Sequence, residues 1–229
     1  MNQRHLQEGR EQKAWTQEEA ASRLGVSQPY LSLLEKGLRP VPEKLARKAA
    51  TVYDLSAVTL PVERSWNSVQ PKDEKTLAAD LAALGYPGFS YLRGRRKKNP
   101  AEVLLSALCV KNLESRLTEA LPWVLLKYTD LDWQWLVSAA KAKDLQNKLG
   151  FLTNVARRIA ETRGEGAKAE TLRNQEVLLE RSRLLLEDTL CHDSLTNAEK
   201  RWLETSRPEE AKHWRLFTDF SLEHLRYVF

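Results

Sequence analysis

Cysteine is nearly absent from this 229-residue chain, with Cys109 and Cys191 the only two. They lie far apart in helical surroundings, so a disulfide framework is excluded. Glycine and proline are scarce as well, nine of each. Leu, Ala, Glu, Lys and Arg dominate instead, which is the composition of helices. No apolar run approaches the roughly 18 residues needed to span a bilayer, and the N-terminus lacks the apolar stretch of a signal peptide. A cytoplasmic protein with no membrane partner is the expectation. Signatures of catalysis are missing too. No glycine-rich phosphate loop precedes a helix, and no G-x-S-x-G occurs. His192, His213 and His224 sit near Cys191 in sequence, but none has the spacing of a metal site. Neither an enzyme, a metal nor a cofactor is therefore expected. What the chain has is an excess of positive charge, +5 with a pI near 9.2, which suits a polyanionic partner.

The informative stretch runs from Thr16 to Gly37, TQEEAASRLGVSQPYLSLLEKG. Thr16 and Glu19 form a capping box that starts a helix, and Ala20, Ala21 and Leu24 give it an inward face. Gly25 stops it, because a left-handed residue costs glycine little. Ser27 caps a second helix with Pro29 in its first turn, where a missing N–H does no harm. Val26, Leu31 and Leu34 point inward. Ser27, Gln28, Pro29, Tyr30, Ser32, Leu33 and Lys36 are left largely outward. Two short helices, a tight turn and a polar second face make a helix-turn-helix.

Residues from about Leu6 to Leu55 resemble the DNA-binding domain of phage repressor and Cro-type (XRE-type) regulators. The resemblance rests on T-Q-E-E-A-A, L-G-V-S, Y-L-S-L-L-E-K-G and the proline-rich turn before K-L-A-R-K-A-A. It implies that the second helix of the motif lies in the major groove of double-stranded DNA. It further implies a buried ion pair between Arg10 and Glu35, and a phosphate near Gln17 at the start of the first motif helix. Gln28 is the candidate base reader, since an amide donates and accepts at once to adenine. Tyr30 and Leu33 suit a thymine methyl, and Lys36 and Arg39 suit phosphates.

The whole chain reads as all-α. Residues 1–60 form a five-helix DNA-binding domain, with Asn2–Lys13 as its first helix, Pro42–Tyr53 as its fourth and Leu55–Leu60 as a short fifth. Residues 61–75 read as a linker, in which Trp66 covers an apolar patch. Residues 76–229 form a helical association, partner or effector domain. Its expected helices include one ending at Gly85 and one from Asn99–Pro100 to about Ala120. Leu121–Tyr128 is either a strand or buried helix. Asp130 or Asp132 caps a helix through Trp133 and Leu136, where Trp133 and Trp135 face different sides. A further helix runs past Gly150 toward Ile159. Glu170–Leu190 reads as one long amphipathic helix with Leu172, Leu179 and Leu186 at spacing seven, widened by Leu178 and Leu185. Thr196 with Glu199 is a second capping box, and Ser206 with Pro208 starts a last helix through Trp214, Phe217 and Leu225. The basic run Arg93, Arg95, Arg96, Lys97 and Lys98 reads equally as a phosphate contact or a solvated loop.

A repressor acting as a homodimer on a two-fold operator is the expected function, with the helical half supplying the association surface. The segments NPAEVLLSALCVKNLESRLTEALPWVLLKY and DLDWQWLVSAAKAKDLQNKLGFL are also similar to the helical tails of antitoxins from abortive-infection toxin–antitoxin operons. That likeness implies an alternative, an autoregulating antitoxin whose tail binds a toxin.

Overall fold

Helix ends set the first part of the chain. In a computed structural model, described over residues 1–62, 69–92 and 96–225, the chain divides into two units, Met1–Val62 and Glu63–Phe229. The first contains α1 (Gln3–Gln12), α2 (Gln17–Leu24), α3 (Gln28–Glu35) and α4 (Glu43–Val52). Thr16 and Glu19 cap α2 reciprocally, and Gly25 ends it at φ 70°. Ser27 accepts from the Tyr30 N–H at the start of α3. The exit of α3 is closed by the Leu38 N–H, which donates to the Leu33 carbonyl at 2.9 Å. Leu6, Leu24, Leu31, Leu34 and Leu45 pack with Tyr53 and small alanines into one core, with Val26 and Val52 partly buried against it. The fifth element is a single 3₁₀ turn, Ala57–Thr59, capped by Ser56.

The second unit is built around a buried helix. Its elements are α5 (Glu74–Leu84), a 3₁₀ turn at Pro87–Phe89, α6 (Pro100–Leu108), α7 (Ser115–Lys127), α8 (Trp133–Lys141), α9 (Gln146–Thr162) and α10 (Gly166–Glu180). After these come β1 (Asp188–Thr189), α11 (Asn197–Ser206), α12 (Glu209–His213), β2 (Leu216–Phe217) and α13 (Leu222–Leu225). The α7, α8, α10, α12 and α13 helices all pack on α9. Leu149, Phe151, Leu152, Val155 and Ala156 of α9 are buried. A Cβ at Gly150 would stand 2.2 Å from the Trp214 ring, so the bare backbone is the seat of that indole.

Several expected elements are shorter or differently placed. Helix α6 ends at Leu108 instead of reaching Ala120, because the chain after it pairs with a later segment. The Leu113 N–H donates to the Cys191 carbonyl, and Asp193 N–H to the Lys111 carbonyl, both at 2.9 Å. Leu121–Tyr128 is helical, most of it within α7 despite Pro122. Asp132, not Asp130, caps α8; Trp133 is buried and Trp135 half-buried.

The largest correction concerns the Glu170–Leu190 helix, which stops at Glu180. Asn147 of α9 holds both backbone groups of Leu184, accepting its N–H at 2.8 Å and donating to its carbonyl at 3.0 Å. Those two bonds replace the helical ones, and the chain turns off to pair β1 with β2 in parallel. Leu172 and Leu179 are fully buried, whereas Leu185 and Leu186 lie outside any helix and face solvent. The last expected helix likewise breaks after His213, where Leu216 and Phe217 join β1. Trp66, Arg93 and Arg95 lie outside the described residues.

Candidate nucleic-acid interface

Polar side chains beneath and on α3 form one continuous chain. The Arg10 guanidinium grips Glu35 with two bonds, Nε to Oε1 at 2.8 Å and Nη2 to Oε2 at 3.1 Å. Its Nη1 donates to the Trp15 carbonyl at 3.0 Å. The two side chains are 14% and 4% exposed, so the pair is shielded from water. The bond to Glu35 is the main influence that holds the Arg10 pKa above its ordinary value. Tyr53 lies close by with its hydroxyl buried, and its pKa is pushed up to about 12, first by burial and then by the charge of Glu35.

From Glu35 the chain leads outward. Gln17 Nε2 donates to Glu35 Oε2 at 2.9 Å, and Gln28 Nε2 donates to Gln17 Oε1 at 2.8 Å. This order fixes which end of each amide points where. An ionised carboxylate only accepts, so Gln17 must turn its NH₂ inward and its oxygen toward Gln28. Gln28 therefore offers that oxygen its own NH₂. One N–H and the carbonyl oxygen of Gln28 remain for a ligand, as does one N–H of Gln17.

Around this chain, Ser27, Gln28 and Pro29 are exposed, while Tyr30, Ser32 and Leu33 are half-buried. Tyr30 packs partly on the core below. Lys36 and Arg39 are exposed at the exit of α3 and form no ion pair among the described residues. Sequence reading missed the link between Gln17 and Gln28. The available signal was that both open a helix, each as its first residue. It also missed Leu38, 68% exposed between Lys36 and Arg39, and the Arg23 guanidinium lying 4.1 Å over the Trp15 ring.

Two short helices joined at a left-handed glycine, the second presenting a half-engaged amide and flanking cations, define a helix-turn-helix DNA-binding unit. Residues 6–60 match the family model described as Helix-turn-helix. That stretch is of the XRE type and supports a DNA-binding transcription regulator. No curated protein and no solved structure matches, and the likeness of the tail to antitoxins finds no counterpart in these comparisons. Among the described residues no helix is long and apolar enough to cross a membrane.

Proposed function

We propose that the protein is a repressor that binds a two-fold operator in double-stranded DNA as a homodimer, with α3 in the major groove. The observation that carries this reading is the Arg10–Glu35–Gln17–Gln28 chain. It leaves Gln28 with one donor and one acceptor side by side, the pair that adenine N7 and N6 require. Holding the amide before DNA arrives removes part of the ordering cost of binding. Tyr30 and Leu33 are placed to meet a thymine methyl, and Ser27, Pro29 and Ser32 line the same approach. Lys36, Arg39 and the remaining Gln17 N–H serve phosphates. A single α3 touches few bases, so two copies on half-sites about one helical turn apart are needed for useful affinity.

Selection of bound sites from random double-stranded DNA, followed by titration of the selected site, tests this. Gln28→Ala should weaken the selected site by about 1–3 kcal/mol and random DNA much less. Arg39→Ala should weaken both and reduce the slope of affinity against salt by about one unit. Equal losses on both DNAs for Gln28→Ala would remove it from base reading.

A further inference from the structure

Among its described residues the second unit carries an apolar protrusion and a pocket that no other described segment fills. The loop between α10 and β1 is pinned at its base. Besides the Asn147 bonds to Leu184, Arg183 donates to the His213 carbonyl at 2.6 Å and Arg207 pairs with Glu187 at 2.5 Å. From this fixed base Leu185 and Leu186 project, 79% and 81% exposed, the most exposed large apolar side chains among the described residues. Two adjacent large apolar side chains held out in solvent on a fixed base mark an interaction site.

The pocket has a volume of about 420 Å³, with Leu190, Leu203 and Phe220 among its apolar walls and Trp202 at its rim. Trp202 is 58% exposed. Among the described residues no Lys or Arg lines it, and His192 is its one basic side chain, although the chain has 36 Lys and Arg. Its carboxylates include Glu114 and Asp219, neither in an ion pair among the described residues. The loop is complementary in sign. Its Arg183 and Glu187 are paired within the fold, while Arg181 is exposed and has no ion pair among the described residues.

We infer that Leu185 and Leu186 of one copy fill this pocket in a second copy, with Arg181 facing Glu114 and Asp219 of that copy. This rests on the dimer proposed above and names its joint. Leu186 and Leu190 are separated by four residues of chain, so they lie no more than about 14 Å apart. A two-fold axis between them lets each copy give a plug and receive one, a self-complementary contact that closes at two copies. Leucines entering apolar walls supply the drive, and the charges fix the orientation.

Light scattering and sedimentation of the full chain at micromolar concentration test the joint. Leu186→Glu should raise the dimer dissociation constant at least 100-fold while circular dichroism stays unchanged, since the replaced side chain is exposed. Arg181→Glu and Asp219→Lys should each weaken the dimer about 10-fold, and the double variant should recover it. Dimers that persist in Leu186→Glu, with no recovery in the charge swap, would overturn the plug and leave the dimer itself standing. A chain that is monomeric alone and on its selected DNA would overturn both the plug and the dimer. Growth into open-ended oligomers would overturn the reciprocal joint.

Discussion

The two units bury polar groups for opposite ends. In the first, the ion pair of Arg10 and Glu35 is one end of a chain that surfaces at Gln28. In the second, α9 buries Asn147, Lys148 and Thr153, and each is used internally. Asn147 holds Leu184, Lys148 pairs with Asp188 at 3.1 Å, and the Thr153 hydroxyl donates to the Leu149 carbonyl. The second unit thus has more buried polar side chains than the first. A buried charge points to recognition only where its hydrogen bonds lead out to a free donor or acceptor. Where they end on backbone, they shape the chain.

The contrast can be broken most sharply at Glu35. Glu35→Ala strands the shielded Arg10 charge and should cost the first unit about 3–5 kcal/mol, against about 0–1 for a surface pair. Hydrogen exchange of the full chain reads this directly: protection should fall in α1–α3 and stay constant in α9. A loss of less than about 1 kcal/mol would mean that the pair is worth no more than an exposed one. The converse variant is Gly150→Ala, which pushes a methyl into the Trp214 ring and should cost about 1–3 kcal/mol. Exchange should rise in α9 and α10 and leave α3 unchanged. An effect of either variant on both units would show that they are energetically coupled.

Much of the first unit was legible because its signals are local. Thr16, Glu19, Gly25, Ser27 and Pro29 act on neighbours a few residues away, and each is a residue type chosen by helix-end geometry. The Gln17–Gln28 bond was not legible, since it depends on how α2 and α3 cross. In the second unit Thr196 and Glu199 were readable for the same local reason. The end of α10 was not, because Asn147 acts on Leu184 across 37 residues. The spacing of Leu172, Leu179 and Leu186 is helical through the first two and coincidental at the third. The break between α6 and α7 also depends on a distant segment, Lys111–Leu113 meeting Cys191–Asp193.

The smallest expected effect is one that both units share. The pKa values of Glu19 and Glu199 lie below their ordinary value of 4.5, chiefly because the Thr16 and Thr196 backbone N–H groups donate to them. A carboxylate depressed in the folded state stabilises it above the unfolded pKa, and that contribution is lost as pH falls through the folded value. Acidification below about pH 4.5 should therefore loosen the starts of α2 and α11 together. Carboxyl chemical shifts followed by NMR titration check this, and a midpoint at or above 4.5 for either residue would remove its cap from the account.

The pairing of Lys111–Leu113 with Cys191–Asp193, and of β1 with β2, has a consequence for the order in which the protein matures on the ribosome. The core of the first unit is complete once Tyr53 has been made. The second cannot pair β1 with β2 until Phe217 has emerged, since Thr189 waits for it. At about 5–20 residues per second, that gap is roughly 8–30 s of synthesis. During it, each nascent chain displays a finished helix-turn-helix unit while its second unit is still incomplete. On the dimer proposed above, two such heads cannot yet be yoked, and tight DNA binding becomes a property of completed chains alone.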